Sequence, residues 1–96
     1  MVRIIWSPNA VTDLEGICEY IARDSEHYSR IFAQGIINAI EKLQIWPESG
    51  RIVPEYNQKH IREVIFQSYR IVYRTKKDAV EIVTIIHGAR LISGYI

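Results

Sequence analysis

The chain has 96 residues, 48% hydrophobic and 24% charged, with a formal net charge of +1. That is the content of one soluble domain over residues 1–96 with a single modest core, and it leaves no room for a second. No apolar run approaches the roughly 18 residues of a membrane span, and the N-terminus lacks the basic-then-apolar pattern of a signal peptide, so no membrane contact and a cytoplasmic location are expected.

One cysteine, Cys18, cannot close an internal disulfide, and His27, His60 and His87 are scattered without metal-ligand spacing. Neither a metal nor a cofactor is expected. The small net charge hides an asymmetry. Residues 1–50 carry four Arg or Lys against seven Asp or Glu, a net of −3, whereas residues 51–96 carry eight against four, a net of +4. A basic half suits an acidic partner, whether nucleic acid or protein.

In chain order, Val2–Trp6 is a short β-rich run that ends at Ser7 and Pro8. Ser7 is suited to cap a helix, and Pro8 fits its first turn, where the missing N–H is not needed. Ala10, Leu14, Ile17 and Ile21, with Val11 and Cys18 beside them, recur at helical spacing. Cys18 therefore reads as a small core residue. Gly16 weakens this helix by roughly 1 kcal/mol relative to alanine. After Arg23, either Asp24 or Ser25 can cap a second helix, whose apolar stripe runs Tyr28, Phe32, Ile36, Ala39 or Ile40, Leu43 and Trp46 until Pro47 stops it. The short link makes the two helices antiparallel neighbours.

Pro47 to Gly50 is a turn, and Arg51 to His60 reads as an irregular connection. Three β-rich runs follow, Ile61–Phe66, Tyr69–Thr75 and Val80–His87. Gaps of two and four residues suit hairpins, so the unit is an antiparallel meander. The expected fold is α+β, a helical hairpin on one face of a mainly antiparallel sheet in the order β-α-α-β-β-β.

Alternation sets Tyr69, Ile71 and Tyr73 against Arg70, Val72 and Arg74 in the middle run. In the last run it sets Val80, Ile82, Thr84 and Ile86 against Glu81, Val83, Ile85 and His87. Both faces are apolar and one helical layer covers only one of them. The other is expected to be a shallow groove edged by Arg and His, a surface that marks a binding site.

The pieces Trp6-Ser7-Pro8 with Asp13-Leu14, Phe32, Trp46-Pro47-Glu48-Ser49-Gly50-Arg51, Ile61-Arg62-Glu63-Val64, Ser68 to Arg74 and Ile86-His87-Gly88-Ala89-Arg90 together resemble the ParE/RelE family of type II toxin–antitoxin toxins. The likeness spans almost the whole chain and is closer to the ParE, plasmid-stabilisation branch. It implies a compact toxin, neutralised by a cognate antitoxin in a hetero-oligomer. ParE-like members inhibit DNA gyrase; RelE-like members cleave messenger RNA on the ribosome. Fold alone does not choose between them.

RNA cleavage by its own 2′-hydroxyl needs a proton acceptor, a proton donor and cations for the phosphorane. Glu63, His87 and Arg70, with Arg62 or Arg90, offer those types, and Arg70 sits where the resemblance places a phosphate-contacting arginine. His87 is the candidate proton donor, histidine being the usual general acid near neutral pH. The ending His87-Gly88-Ala89-Arg90 departs from the lysines or tyrosine that RelE-like nucleases carry there, and Tyr95 lies beyond the strand. Each residue also has a structural role open to it. Arg70 and Arg74 can pair with Glu63 or Glu81 across strands, and His87 can be a hydrogen-bonded strand-end residue. Alternation leaves open whether Glu63, Arg70 and His87 share a face. A binding role is therefore expected first, with Arg62, Arg70, Arg74, His87, Arg90 and Tyr95 as the contact residues.

Overall fold

The computed structural model describes residues 1–92 and residue 94. Strand β1 (Arg3–Trp6) leads into α1 (Pro8–Ala22), and α2 (Glu26–Glu41) runs on through a short 3-10 turn over Lys42–Gln44. Four strands follow: β2 (Arg51–Ile52), β3 (Ile61–Phe66), β4 (Tyr69–Thr75) and β5 (Ala79–His87). The spatial order is β1-β5-β4-β3-β2, with β1 parallel to β5 and every other pair antiparallel. β2 adds a strand to the expected order. Its two residues stand between Gly50 and Pro54, too short to show any periodicity, and only pairing with Arg62 and Glu63 of β3 makes them a strand.

Both helices start where the capping residues stand. The Ser7 hydroxyl accepts from the Ala10 amide at 3.0 Å, and Ser25, not Asp24, accepts from the Tyr28 amide at 3.0 Å. Each bond satisfies a donor that the first helical turn leaves unpaired. Ser7 also donates to the Val83 carbonyl at 2.9 Å. Asp13 accepts from the Ile85 amide at 3.1 Å and from the Thr84 hydroxyl. β1 reaches only as far as Ile82 along β5, so Ser7 and Asp13 supply hydrogen bonds where β1 has ended.

The helical hairpin buries Ala10, Phe32, Ile36, Ile40 and Leu43 against Ile71, Tyr73, Val80, Ile82 and Ile85. Tyr28 and Trp46, at the two ends of the expected stripe, are exposed. A Cβ at Gly35 would collide with the Phe66 ring, so a glycine there lets α2 approach β3. Gly50 meets the same condition on backbone. A Cβ would lie 2.6 Å from the Glu63 carbonyl oxygen, and the Gly50 amide donates to the Tyr73 hydroxyl at 2.9 Å.

Two expectations about the second face are corrected. It is not an open groove: Val53 and Tyr56 from the β2–β3 connection and Ile92 from the C-terminal segment pack onto Ile61, Val72, Val83 and Ile86 as a second core. A loop with no periodicity of its own gives no sign in the sequence of the face it will cover. Alternation along β5 also breaks. Tyr73 pairs with Ile82 and Val72 with Thr84, leaving Val83 as the extra residue of a β-bulge. Glu81 pairs with Arg74 on the second face, but beyond the bulge Ile85 joins the helix-side core. His87, two residues on, shares that side.

Candidate functional site

Glu63 on β3 and Arg70 on β4 point to the second face, where Arg70 pairs in register with Ile65 and Glu63 with Val72. Their side chains meet: Arg70 Nε donates to Glu63 Oε1 at 2.6 Å, and Arg51 Nε donates to Glu63 Oε2. The Glu63 side chain is 0% exposed. Arg70 presents the rest of its fork to Glu55, with Nη1 and Nη2 each 2.8 Å from a different carboxylate oxygen, and Nη1 also donates to the Arg90 carbonyl at 3.0 Å. A planar guanidinium matches a carboxylate in this two-toothed way, and these charge-assisted bonds are among the stronger ones in proteins.

The arrangement sets the charge states. Hydrogen bonds from the Arg70 guanidinium, with smaller help from the Ile92 amide, pull the Glu55 carboxyl from its ordinary 4.5 down to about 2 despite partial burial. The same Glu55 contact raises Arg70 above its usual value, so it stays charged. Burial acts to raise Glu81, but bonds from Arg74 and Lys76 outweigh it and leave its carboxyl below the usual range. A carboxyl held low in the folded chain binds fewer protons than in the unfolded chain, so stability rises with pH across that interval. Urea titrations should therefore show stability falling from about pH 4.5 toward pH 2, with Glu55→Gln flattening much of that limb and Glu81 supplying the remainder. An unchanged limb in Glu55→Gln would mean that the Glu55–Arg70 fork does not form.

His87 lies away from this network. It pairs in register with Tyr69, whose ring meets it edge to face at 5.7 Å, on the side of the sheet that carries the helices. There it lines a cleft of about 350 Å³ with Asp13, Gly16, Tyr20, Tyr69 and Arg90. Glu63 and Arg70 thus share one face, and His87 sits on the other. The bulge at Val83 causes the separation, since unbroken alternation would have put His87 beside Glu81 on the second face.

The remaining basic residues divide by what they hold. Arg62 Nε donates to the Lys59 carbonyl and its Nη1 to the Gly50 and Glu48 carbonyls, tying the turn before β2 to β3. Arg74 Nε and Nη2 donate to Glu81 Oε1 at 3.2 and 3.0 Å, a cross-strand pair. Arg70, expected as a contact residue, is only 4% exposed. His87 and Arg90 are exposed, and so is Leu91 at 79%. Tyr95 lies outside the described residues. Glu55 was missed by sequence reasoning; a lone acidic residue in an aperiodic loop carries no signal until the loop is folded onto Arg70. Among the described residues no group of three His, Cys, Asp or Glu side chains is placed to hold a metal ion, and no helix is long and apolar enough to cross a membrane.

A family model described as the ParE toxin of type II toxin–antitoxin system, parDE, matches residues 4–92. Toxin RelE2 of Caulobacter vibrioides (strain ATCC 19089 / CIP 103742 / CB 15) is 33% identical over 92 residues, which cover 95% of this chain and 100% of that protein. A solved structure titled chromosomal ParDE TA system from P. aeruginosa superposes with a TM-score of 0.75 at 20% identity, covering 91% of this chain and 96% of the other. At that identity the likeness is one of fold, two helices on a mixed five-stranded sheet.

Proposed function

The chain belongs to the ParE toxin family of type II toxin–antitoxin systems, and on that premise we propose that it acts by binding and inhibiting DNA gyrase in the cytoplasm. Membership of such a system supplies one partner, a cognate antitoxin. In this reading the toxin is held in a hetero-oligomer by that antitoxin and meets gyrase when released.

The observation that carries the binding role is the commitment of Arg70. An arginine that stabilises a phosphorane must present free N–H donors to phosphate oxygens. Here Nε goes to Glu63, Nη1 to Glu55 and to the Arg90 carbonyl, and Nη2 to Glu55. Glu63, the acidic candidate, accepts from a guanidinium on both oxygens, and His87 is across the sheet. A general base needs a lone pair within reach of the proton it takes, which this pairing does not provide. The surface assigned to recognition is instead the exposed end of the sheet, His87, Arg90 and Leu91, beside the α1 cleft.

A supercoiling assay tests the proposal: the purified, antitoxin-free chain should block gyrase in proportion to its concentration, with intact messenger in a translating extract. No effect on gyrase at saturating toxin removes this reading. Cleavage of ribosome-bound messenger by the purified chain would establish the RelE-like nuclease in its place.

A further inference from the structure

After β5 the chain does not leave the sheet. The Arg90 amide donates to the His87 carbonyl at 3.0 Å and the Gly88 amide to the Ser68 carbonyl at 2.7 Å, turning the backbone back at the strand end. The next residues cross the second face. The Arg90 carbonyl accepts from Arg70 Nη1 at 3.0 Å, and the Ile92 amide donates to Glu55 Oε2 at 3.3 Å. Ile92 is buried among Val53, Val72 and Ile86, while Leu91 between the two anchors is 79% exposed.

A lone exposed leucine is ordinary on a protein surface. The informative feature is what holds its neighbours. Both main-chain anchors of residues 90–92 are made by one pair of opposite charges, and each side chain of that pair grips the strap at a different residue. Arg70 is fixed in turn by Glu63 on β3, and Glu55 is carried on the loop that forms the other wall of the second core. The strap therefore has two charge-assisted bonds to the sheet and the loop and one apolar foot, Ile92. Arg90, whose carbonyl Arg70 holds, lines the cleft with His87 on the far side of the strand end.

We propose that Glu55 and Arg70 are positioning residues, a clasp that fixes residues 90–92 so that Arg90 and Leu91 meet a protein partner in a single conformation. Ordering a flexible segment opposes binding, and a segment ordered beforehand by its own chain removes that cost. The recognition half of this proposal rests on the reading that the exposed end of the sheet meets gyrase. Neither Glu55 nor Arg70 touches the partner; they act through the backbone of Arg90 and Ile92.

The test uses the full-length chain with Glu55→Gln, chosen because Glu55 lies at the edge of the network and its amide replacement keeps the shape. Amide hydrogen exchange at Ile92 should accelerate about tenfold or more beyond the change at Ile71, which lies in the centre of the sheet and reports global opening. The toxin concentration that half-inhibits gyrase should rise by about tenfold, the loss expected when a preordered segment becomes free. Leu91→Ser should weaken inhibition without altering exchange at Ile92, which separates contact from positioning. Exchange at Ile92 that accelerates no more than at Ile71 in Glu55→Gln overturns the clasp. Faster exchange with undiminished inhibition overturns its part in recognition. If the unaltered chain leaves gyrase untouched, the function reading fails and the recognition half with it, and exchange at Ile92 by itself decides whether the clasp exists.

Discussion

Glu63→Leu is expected to destabilise the chain by about 3 kcal/mol, measured as a lower urea midpoint with the same denaturant slope. The Glu63 side chain is 0% exposed and receives Arg70 Nε at 2.6 Å on one oxygen and Arg51 Nε on the other. Removing it leaves the Nε of a guanidinium that is itself 5% exposed without an acceptor. An unpaired buried charge costs about 3–5 kcal/mol in comparable cases, and the lower end applies because Glu55 still neutralises Arg70. Arg51 contributes little to the loss, since its side chain is 60% exposed and water replaces the carboxylate.

A paired substitution sharpens the result. Glu63→Leu together with Arg70→Met exchanges the buried pair for apolar side chains among Val72 and Ile86, and should regain part of the lost stability, the rest being the Glu55 bonds that the second substitution also removes. A single variant that loses under about 1 kcal/mol, or a double variant whose loss equals the sum of the Glu63→Leu and Arg70→Met losses, contradicts the pairing. The double variant also removes the guanidinium from the Arg90 carbonyl. It is thus expected to fold well and inhibit gyrase poorly, distinguishing the network's contribution to the fold from its contribution to recognition.

Phe32→Ala should cost about 3–5 kcal/mol, the range for emptying a buried aromatic site. Phe32 is 1% exposed on the core side of α2, and its ring meets Phe66 at 5.7 Å and Tyr69 at 5.3 Å, both edge to face. Edge-to-face pairs add about 0.5–1.5 kcal/mol beyond burial, so the loss belongs in the upper part of the range. Thermal unfolding reads it directly, because about 1 kcal/mol shifts the midpoint by roughly 4–8 °C in a domain this small. A drop of only a few degrees would mean that the site collapses around the missing ring. Tyr69 in turn packs on His87, so the same variant should shift the His87 ring resonances by way of Tyr69.

Much of the architecture is carried by local chemistry and was legible without the fold. Ser7 followed by Pro8 starts α1, a cap at Asp24 or Ser25 starts α2, with the structure choosing Ser25, and the strands β3 to β5 follow the β-rich runs with hairpin-length gaps. The cross-strand options also followed from residue type: Arg70 does reach Glu63, and Arg74 does reach Glu81. The charge split put the basic residues on the sheet half, but not that Arg62, Arg70 and Arg74 would be bonded within the chain.

Pairing and closure lay beyond the sequence. β2 exists only because Arg51 and Ile52 find β3, and the supposed groove is filled because Val53, Tyr56 and Ile92 fold onto it. Glu55 became part of the site by the same loop closure. A β-strand's side chains alternate by local geometry, so sequence by itself determined which residues of β4 face together: Tyr69, Ile71 and Tyr73 against Arg70, Val72 and Arg74. It did not determine the same for β5. One extra residue opposite a partner strand reverses every side chain beyond it, and only the pairing with β4 shows that Val83 is that residue. The tertiary structure thereby put Glu63 with Arg70 on one face and His87 on the other.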